Sequence, residues 1–183
     1  MADLETILEQ CKKNNAKAQA ALYNLLAPKL LGVCLRYMED RDEAEDVMQD
    51  TFVKIFTNIR SFKGIGSFEG WTKRIAANTA LTALKKKNKI YFERNLQLAE
   101  NIDFSEEEQQ LLGITEIMNC MDALPMGYRT IINLFLMEEF SHSEIAEKLN
   151  ISESTSRSQY ARARQALMKL IKIKIEQEAV KKA

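Results

Sequence analysis

A chain of 183 residues with 26 basic and 26 acidic side chains is neutral overall, so bulk charge argues for no particular partner. Its 46% apolar content and two prolines suit a mostly helical protein of one domain or two small ones. A single histidine, with no nucleophile–base pairing and no metal-ligand spacing, argues against an enzyme, a metal centre or a bound cofactor.

Asp3 and Glu5 stand where a signal peptide needs basic residues. No apolar run approaches membrane-spanning length, so the expectation is a cytoplasmic protein without membrane insertion. Cys11, Cys34 and Cys120 are scattered and odd in number, as for small buried apolar residues in a reducing compartment.

The first strong periodicity is "AALYNLLAPKLLGVCLRYM", where Leu22, Leu25, Leu26, Leu30 and Val33 recur at helical steps. Pro28 should kink or split that helix. Next, "DEAEDVMQDTFVKIFTNI" repeats Ala44, Val47, Met48, Phe52, Ile55 and Phe56 on one face. Seven acids and one base fall between Glu39 and Asp50, so its other face is anionic. "SFKGIGSF" carries Gly64 and Gly66 and reads as a loop. A third helix spans about Phe68 to Lys87. Its Ala76, Ala80, Ala83 and Leu84 form a small packing face. The opposite side holds Trp71, Arg74, Asn78, Thr82 and Lys85 and leads into "KKKNK". An aromatic, an amide and cations on one stripe can stack on unpaired bases and bind phosphates. The pattern alone leaves open that Trp71 is core and the lysines a solvated end.

Periodicity then fades. "LAENIDFSEEEQQ" is acidic and weakly apolar, which suits a linker. The expected organisation is a helical domain over residues 1–92, a linker over 93–112 and a second helical domain over 113–183. Helices resume with "ITEIMNCMDAL", break at Pro125, and resume with "YRTIINLFLMEEF".

Ser141 to Leu149 reads as a short helix opened by a Ser141/Glu144 capping box. The lone His142 is expected to be a surface residue of that cap. Asn150 tolerates the left-handed conformation that ends a helix, and Ser152 can cap the next one. On this last helix Ser156, Tyr160, Ala163, Leu167 and Leu170 should face the core. Ser154, Arg157, Ser158, Ala161, Arg162 and Gln165 lie opposite. Six bases and one acid occur from Ser152 to Lys174. A capped helix–turn–helix with arginine and serine outward fits the DNA major groove.

Three separated segments carry a family resemblance, in order: "DEAEDVMQDTFVKIF", "FKGIGSFEGWTKRIAANTALTALKKK" and "ALPMGYRTIINLFLMEEFSHSEIAEKLNISESTSRSQYARARQAL". Together they resemble the sigma factors of bacterial RNA polymerase, in the extracytoplasmic-function group. The resemblance implies an all-α protein of two small helical domains joined by a flexible linker. Its partners would be core RNA polymerase, promoter DNA and an anti-sigma factor, with no small-molecule substrate and no cofactor. It implies that Asp46 and Gln49 touch the polymerase. Phe62, Lys63, Phe68, Trp71, Arg74, Asn78 and Lys85 would meet the −10 element, with the loop of residues 62–68 capturing a flipped base. Ser154, Arg157, Ser158, Ala161 and Arg162 would meet the −35 element. "EEEQQ" is either a solvated linker or, by the resemblance, a segment near the RNA path. Thr72, Thr82, Asn150 and Ser156 depart from the family's usual residues. Fully extended at about 3.3 Å per residue, the linker reaches roughly 65 Å; two turns of DNA span roughly 70 Å.

Overall fold

The computed structural model describes residues 4–87 and 113–182. The chain divides into two compact units, Met1–Asn88 and Lys89–Ala183. Among the described residues all regular structure is helical. The expected linker over 93–112, with its "EEEQQ" run, lies outside the described residues.

The first unit contains α1 (Leu4–Lys12), α2 (Ala16–Leu35), α3 (Arg41–Asn58), a 3₁₀ turn (Ile59–Ser61) and α4 (Phe68–Lys86). The periodicities above gave no sign of α1. It is short, and it buries Leu8 and Cys11 against α2. Asn15 opens α2, its side chain accepting from the Lys17 and Ala18 amides at 3.0 and 3.1 Å. Leu22, Leu26, Leu30, Val33 and Cys34 are buried where α2 packs on α1, α3 and α4.

Three expectations bear on α2: that Pro28 kinks or splits the helix, that Leu25 belongs to the apolar repeat, and that no run is of spanning length. Pro28 does not split the helix, which runs unbroken from Ala16 to Leu35. The hydrogen bond that proline cannot donate belongs to the Asn24 carbonyl. Both residues lie on the exposed side, where water can serve the carbonyl. Leu25 is 50% exposed, because it falls about 100° from the centre of the buried stripe. Nor does the chain lack an apolar segment of spanning length: α2 is long and apolar enough by length and composition. Its apolar stripe is the core of this unit.

Asp40 caps α3 by accepting from the Glu43 amide at 2.8 Å. Ala44, Val47, Met48, Thr51, Phe52 and Ile55 are buried. Gly64 and Gly66 take positive φ values of 73° and 76°, where a side chain would be strained. Ser67 then caps α4, accepting from the Gly70 amide at 3.0 Å. Three polar links brace the unit. Arg60 donates to the Lys12 carbonyl at 3.0 and 2.8 Å, Lys87 pairs with Glu43, and Glu69 pairs with both Lys29 and Lys73. Hydrogen bonds from those two lysines pull the Glu69 carboxyl down to about 2.

The second unit contains α5 (Ile114–Asp122), α6 (Met126–Ile132), a π-helical turn (Asn133–Met137), α7 (His142–Leu149) and α8 (Glu153–Lys182). The break falls at Pro125, as expected. The following helix changes pitch at Asn133, whose carbonyl accepts from the Glu138 amide five residues on at 3.0 Å. Tyr128, Ile131, Ile132, Leu134, Phe140, Ile145, Ala163 and Leu167 form the core. All three cysteines are buried free thiols, and burial pushes Cys11 and Cys120 up.

Candidate nucleic-acid interface

In the first unit the small face of α4 is buried as expected at Ala76, Ala80 and Leu84, with Ala83 half-buried. The opposite side presents Arg74, Asn78, Thr82 and Lys85 to solvent. Trp71 is half-buried. Its ring centroid lies 5.5 Å from Phe62 and 5.4 Å from Phe68, and those two are 5.1 Å apart. Phe68 itself is only 5% exposed. It therefore supports the Trp71 ring from below and is not at the surface where the −10 reading put it. Lys63 is exposed in the glycine loop. Beside it Ile65, at the tip between the two left-handed glycines, is 84% exposed.

Trp71 and Asn78 line an open groove of about 360 Å³ whose other wall is the end of α3 and the 3₁₀ turn that follows it. That wall supplies Lys54, Asn58 and Ser61, none of which the sequence reading singled out. Lys54 Nζ donates across the groove to Thr79 Oγ1 at 3.1 Å. Asn58 Nδ2 donates to the Lys54 carbonyl at 2.8 Å. The helical period was the available signal. Lys54 and Asn58 follow Val47 at i+7 and i+11 and so share its side of α3, but only the packing of α3 on α4 brings them to Trp71. The groove joins an aromatic edge to amide and ammonium groups, which is the chemistry that unpaired bases and phosphates take. Asp46 and Gln49 are exposed on α3 alongside Asp42 and Asp50, an anionic surface opposite the buried stripe.

In the second unit α7 and α8 make the helix–turn–helix. The capping box is complete: Ser141 Oγ accepts from the Glu144 amide at 3.2 Å, and the Ser141 amide donates to Glu144 Oε2 at 2.8 Å. Asn150 ends α7 at φ 54°, ψ 50°. Ser152 Oγ accepts from the Thr155 amide at 3.0 Å. Ser154, Arg157, Ser158 and Ala161 are exposed on α8, whereas Arg162 and Gln165 are half-buried. Arg157 pairs with Glu153 one turn before it. Ser158 donates its hydroxyl to the Thr155 carbonyl at 3.0 Å. Ser156, Ala163 and Leu167 point inward and are buried, and Tyr160 and Leu170 are half-buried.

His142 is not the surface cap residue the sequence suggested. Its ring stacks on Phe135 with centroids 4.5 Å apart, and its Nδ1 lies 3.0 Å from Ser156 Oγ. Desolvation by burial, then the Arg157 guanidinium, push its pKa below the usual histidine value; Glu153 opposes them.

Comparison with known proteins matches each of the two units to a known family region. Residues 22–90 match Sigma-70 region 2, and residues 114–167 match Sigma-70 region 4. The chain is 29% identical over 178 residues to the ECF RNA polymerase sigma factor SigW of Bacillus subtilis, covering 90% of this chain and 95% of that one. It is 27% identical over 180 residues to the RNA polymerase sigma-H factor of Pseudomonas aeruginosa, covering 91% and 93%. The fold is similar to that of the sigma factor RpoE from Bartonella quintana, solved in complex with the anti-sigma factor NepR. The TM-score there is 0.52, with 22% identity over 84% of this chain and 96% of that chain. With region 2 and region 4 both matched, and such relatives aligned along nearly their full length, the chain belongs to the extracytoplasmic-function sigma factors and directs promoter-specific transcription initiation.

Proposed function

We propose that the two exposed surfaces divide promoter recognition between them, and that α3 docks the protein on core RNA polymerase. The groove between α3 and α4, with Trp71 and Asn78 beside Lys54, is the observation that carries this reading. In it the non-template strand of the −10 element is received after opening. Phe62 and Trp71 offer stacking surface, Asn78 offers an amide to a base edge, and Lys63, Arg74 and Lys85 meet phosphates. Flipping a base costs a few kcal/mol; stacking returns about 1–3 kcal/mol per base, so capture offsets much of that cost. Phe68 acts from beneath, by holding Trp71.

On α8, Arg157 and Arg162 read −35 base edges while Ser154 and Ser158 contact the backbone, with Ala161 leaving room for the groove wall. The exposed carboxylate of Asp46 and the amide of Gln49 meet a basic surface of the polymerase. Residues 1–92 form the region 2 domain and 113–183 the region 4 domain, joined by the acidic segment. The protein works in the cytoplasm, without catalysis of its own, as a dissociable subunit. Its likeness to a sigma factor solved with an anti-sigma factor supports restraint by such an inhibitor here as well.

Sequencing RNA 5′ ends made by core polymerase with and without the protein tests this reading. The expected result is a set of new start sites sharing two upstream elements. Start sites unchanged by the protein, or sharing no element, would contradict it.

A further inference from the structure

His142 joins three elements of the second unit. It is the first residue of α7, directly after the Ser141 cap. Its ring lies face to face with Phe135 of the π-helical turn, the planes 16° apart. Tyr160 of α8 closes the cluster, 5.6 Å from His142 and 4.4 Å from Phe135. The remaining contact is polar. Nδ1 sits 3.0 Å from Ser156 Oγ, and Ser156 is fully buried. Ser156 is flanked by Arg157 and lies within one turn of Ser154 and Ser158. The His142 ring thus grips the inner side of the turn whose outer side carries the proposed DNA contacts.

We propose that His142 is a positioning residue for duplex recognition: its neutral ring holds Ser156 and sets how the first turns of α8 meet DNA. The proposal rests on the −35 reading of α8. With the ring proton on Nε2, Nδ1 accepts from the Ser156 hydroxyl. Protonation makes Nδ1 a donor, so the buried hydroxyl must reverse and find another acceptor. The surroundings also oppose the cation. The positive end of the α7 dipole lies at this position. On α8, Arg157 repels the cation and Glu153, paired with that arginine, attracts it. Tyr160 contributes its aromatic ring, 5.6 Å away. The π turn contributes the uncharged Phe135, and Glu138 and Glu139 occupy the connection that follows it. Glu144, on the same helix as His142, is held in the capping box. Because the folded-state pKa is lowered, the grip is fully present above the ordinary value near 6.5 and is lost as pH falls through the lowered folded-state value.

No other histidine exists in the chain, so one substitution removes the only side chain that ordinarily titrates between about pH 5 and 8. His142→Phe keeps the ring stack and deletes the acceptor. His142→Asn is the second variant, with helix content checked by circular dichroism. Holoenzyme is assembled with core polymerase, and its affinity is measured for a fluorescent promoter duplex mapped from RNA 5′ ends. Taking the ratio of wild type to variant at each pH cancels the polymerase's own response. Near pH 7.5 the wild type should bind about three- to ten-fold more tightly, the size of one hydrogen bond, and the ratio should fall towards one as acid protonates the folded ring. A ratio that stays constant across this window, or equal binding at every pH, would overturn the proposal. Arg157→Ala and Arg162→Ala serve as controls, each weakening binding throughout. If neither weakens binding, the −35 reading fails and takes this proposal with it. Intact arginine effects with a flat His142 ratio would sink the proposal alone.

Discussion

Asn78 and Arg162 carry the sharpest expectations at the scale of single residues. Arg162 is half-buried on α8, so part of the side chain is held by its neighbours and less freedom is lost on making a base contact. Arg162→Ala should cost about 1–3 kcal/mol in −35 binding and relax preference at one or two base pairs, read by competition between mutated duplexes. An equal loss on every sequence would assign Arg162 to phosphate alone. At Gly66, φ is 76° with open space where a Cβ would sit. Gly66→Ala should therefore cost about 1 kcal/mol through backbone strain, not through a clash. Thermal unfolding checks it; an unchanged or raised melting temperature would show that the loop relaxes freely.

At the scale of elements, local chemistry written in adjacent residues was legible. Ser141 and Glu144 announced the capping box, Asn150 the left-handed stop, and Gly64 and Gly66 the loop, because each signal needs only neighbours in the chain. What was not legible depends on partners distant in sequence. Lys54 and Thr79 meet only once α3 lies on α4, and His142 looks like a surface cap until α8 places Ser156 beside it. Leu25 belongs to an apolar run but misses the stripe, and Pro28 is tolerated because its missing donor faces outward. Two measurements probe the braces. Ser141→Ala should cost about 1 kcal/mol of stability through the lost cap, read by denaturant unfolding. Glu69, bridging α2 and α4, has its carboxyl pulled from 4.5 to about 2 by Lys29 and Lys73. Its contribution is present above about pH 4.5 and lost as pH falls through about 2. The group is more than one-third exposed, so screening keeps the effect to roughly 1 kcal/mol or less. Glu69→Gln should lower the melting temperature slightly at neutral pH, and the difference should vanish in strong acid or high salt. A difference that persists in acid would assign the effect to packing.

For the whole molecule, the order of the three motifs made the two-domain, all-helical plan readable, since region 2 and region 4 each have their own core and their own exposed surface. In the proposed reading, the anionic side of α3 keeps polymerase docking apart from DNA contact. Replacing Asp46 and Gln49 together by alanine removes no core volume, so the fold should persist while core affinity falls in a fluorescence titration. Unchanged affinity would move the docking surface elsewhere. The central claim is that the α3–α4 groove opens promoter strands and holds one of them. Asn78→Ala deletes the amide but leaves the packing face of Ala76, Ala80 and Leu84 intact. Permanganate footprinting of exposed thymines on duplex promoter tests that claim most directly. The account predicts normal core binding with little opening in the mutant, and only partial rescue on a premelted bubble. Wild-type thymine reactivity in the mutant holoenzyme would contradict it.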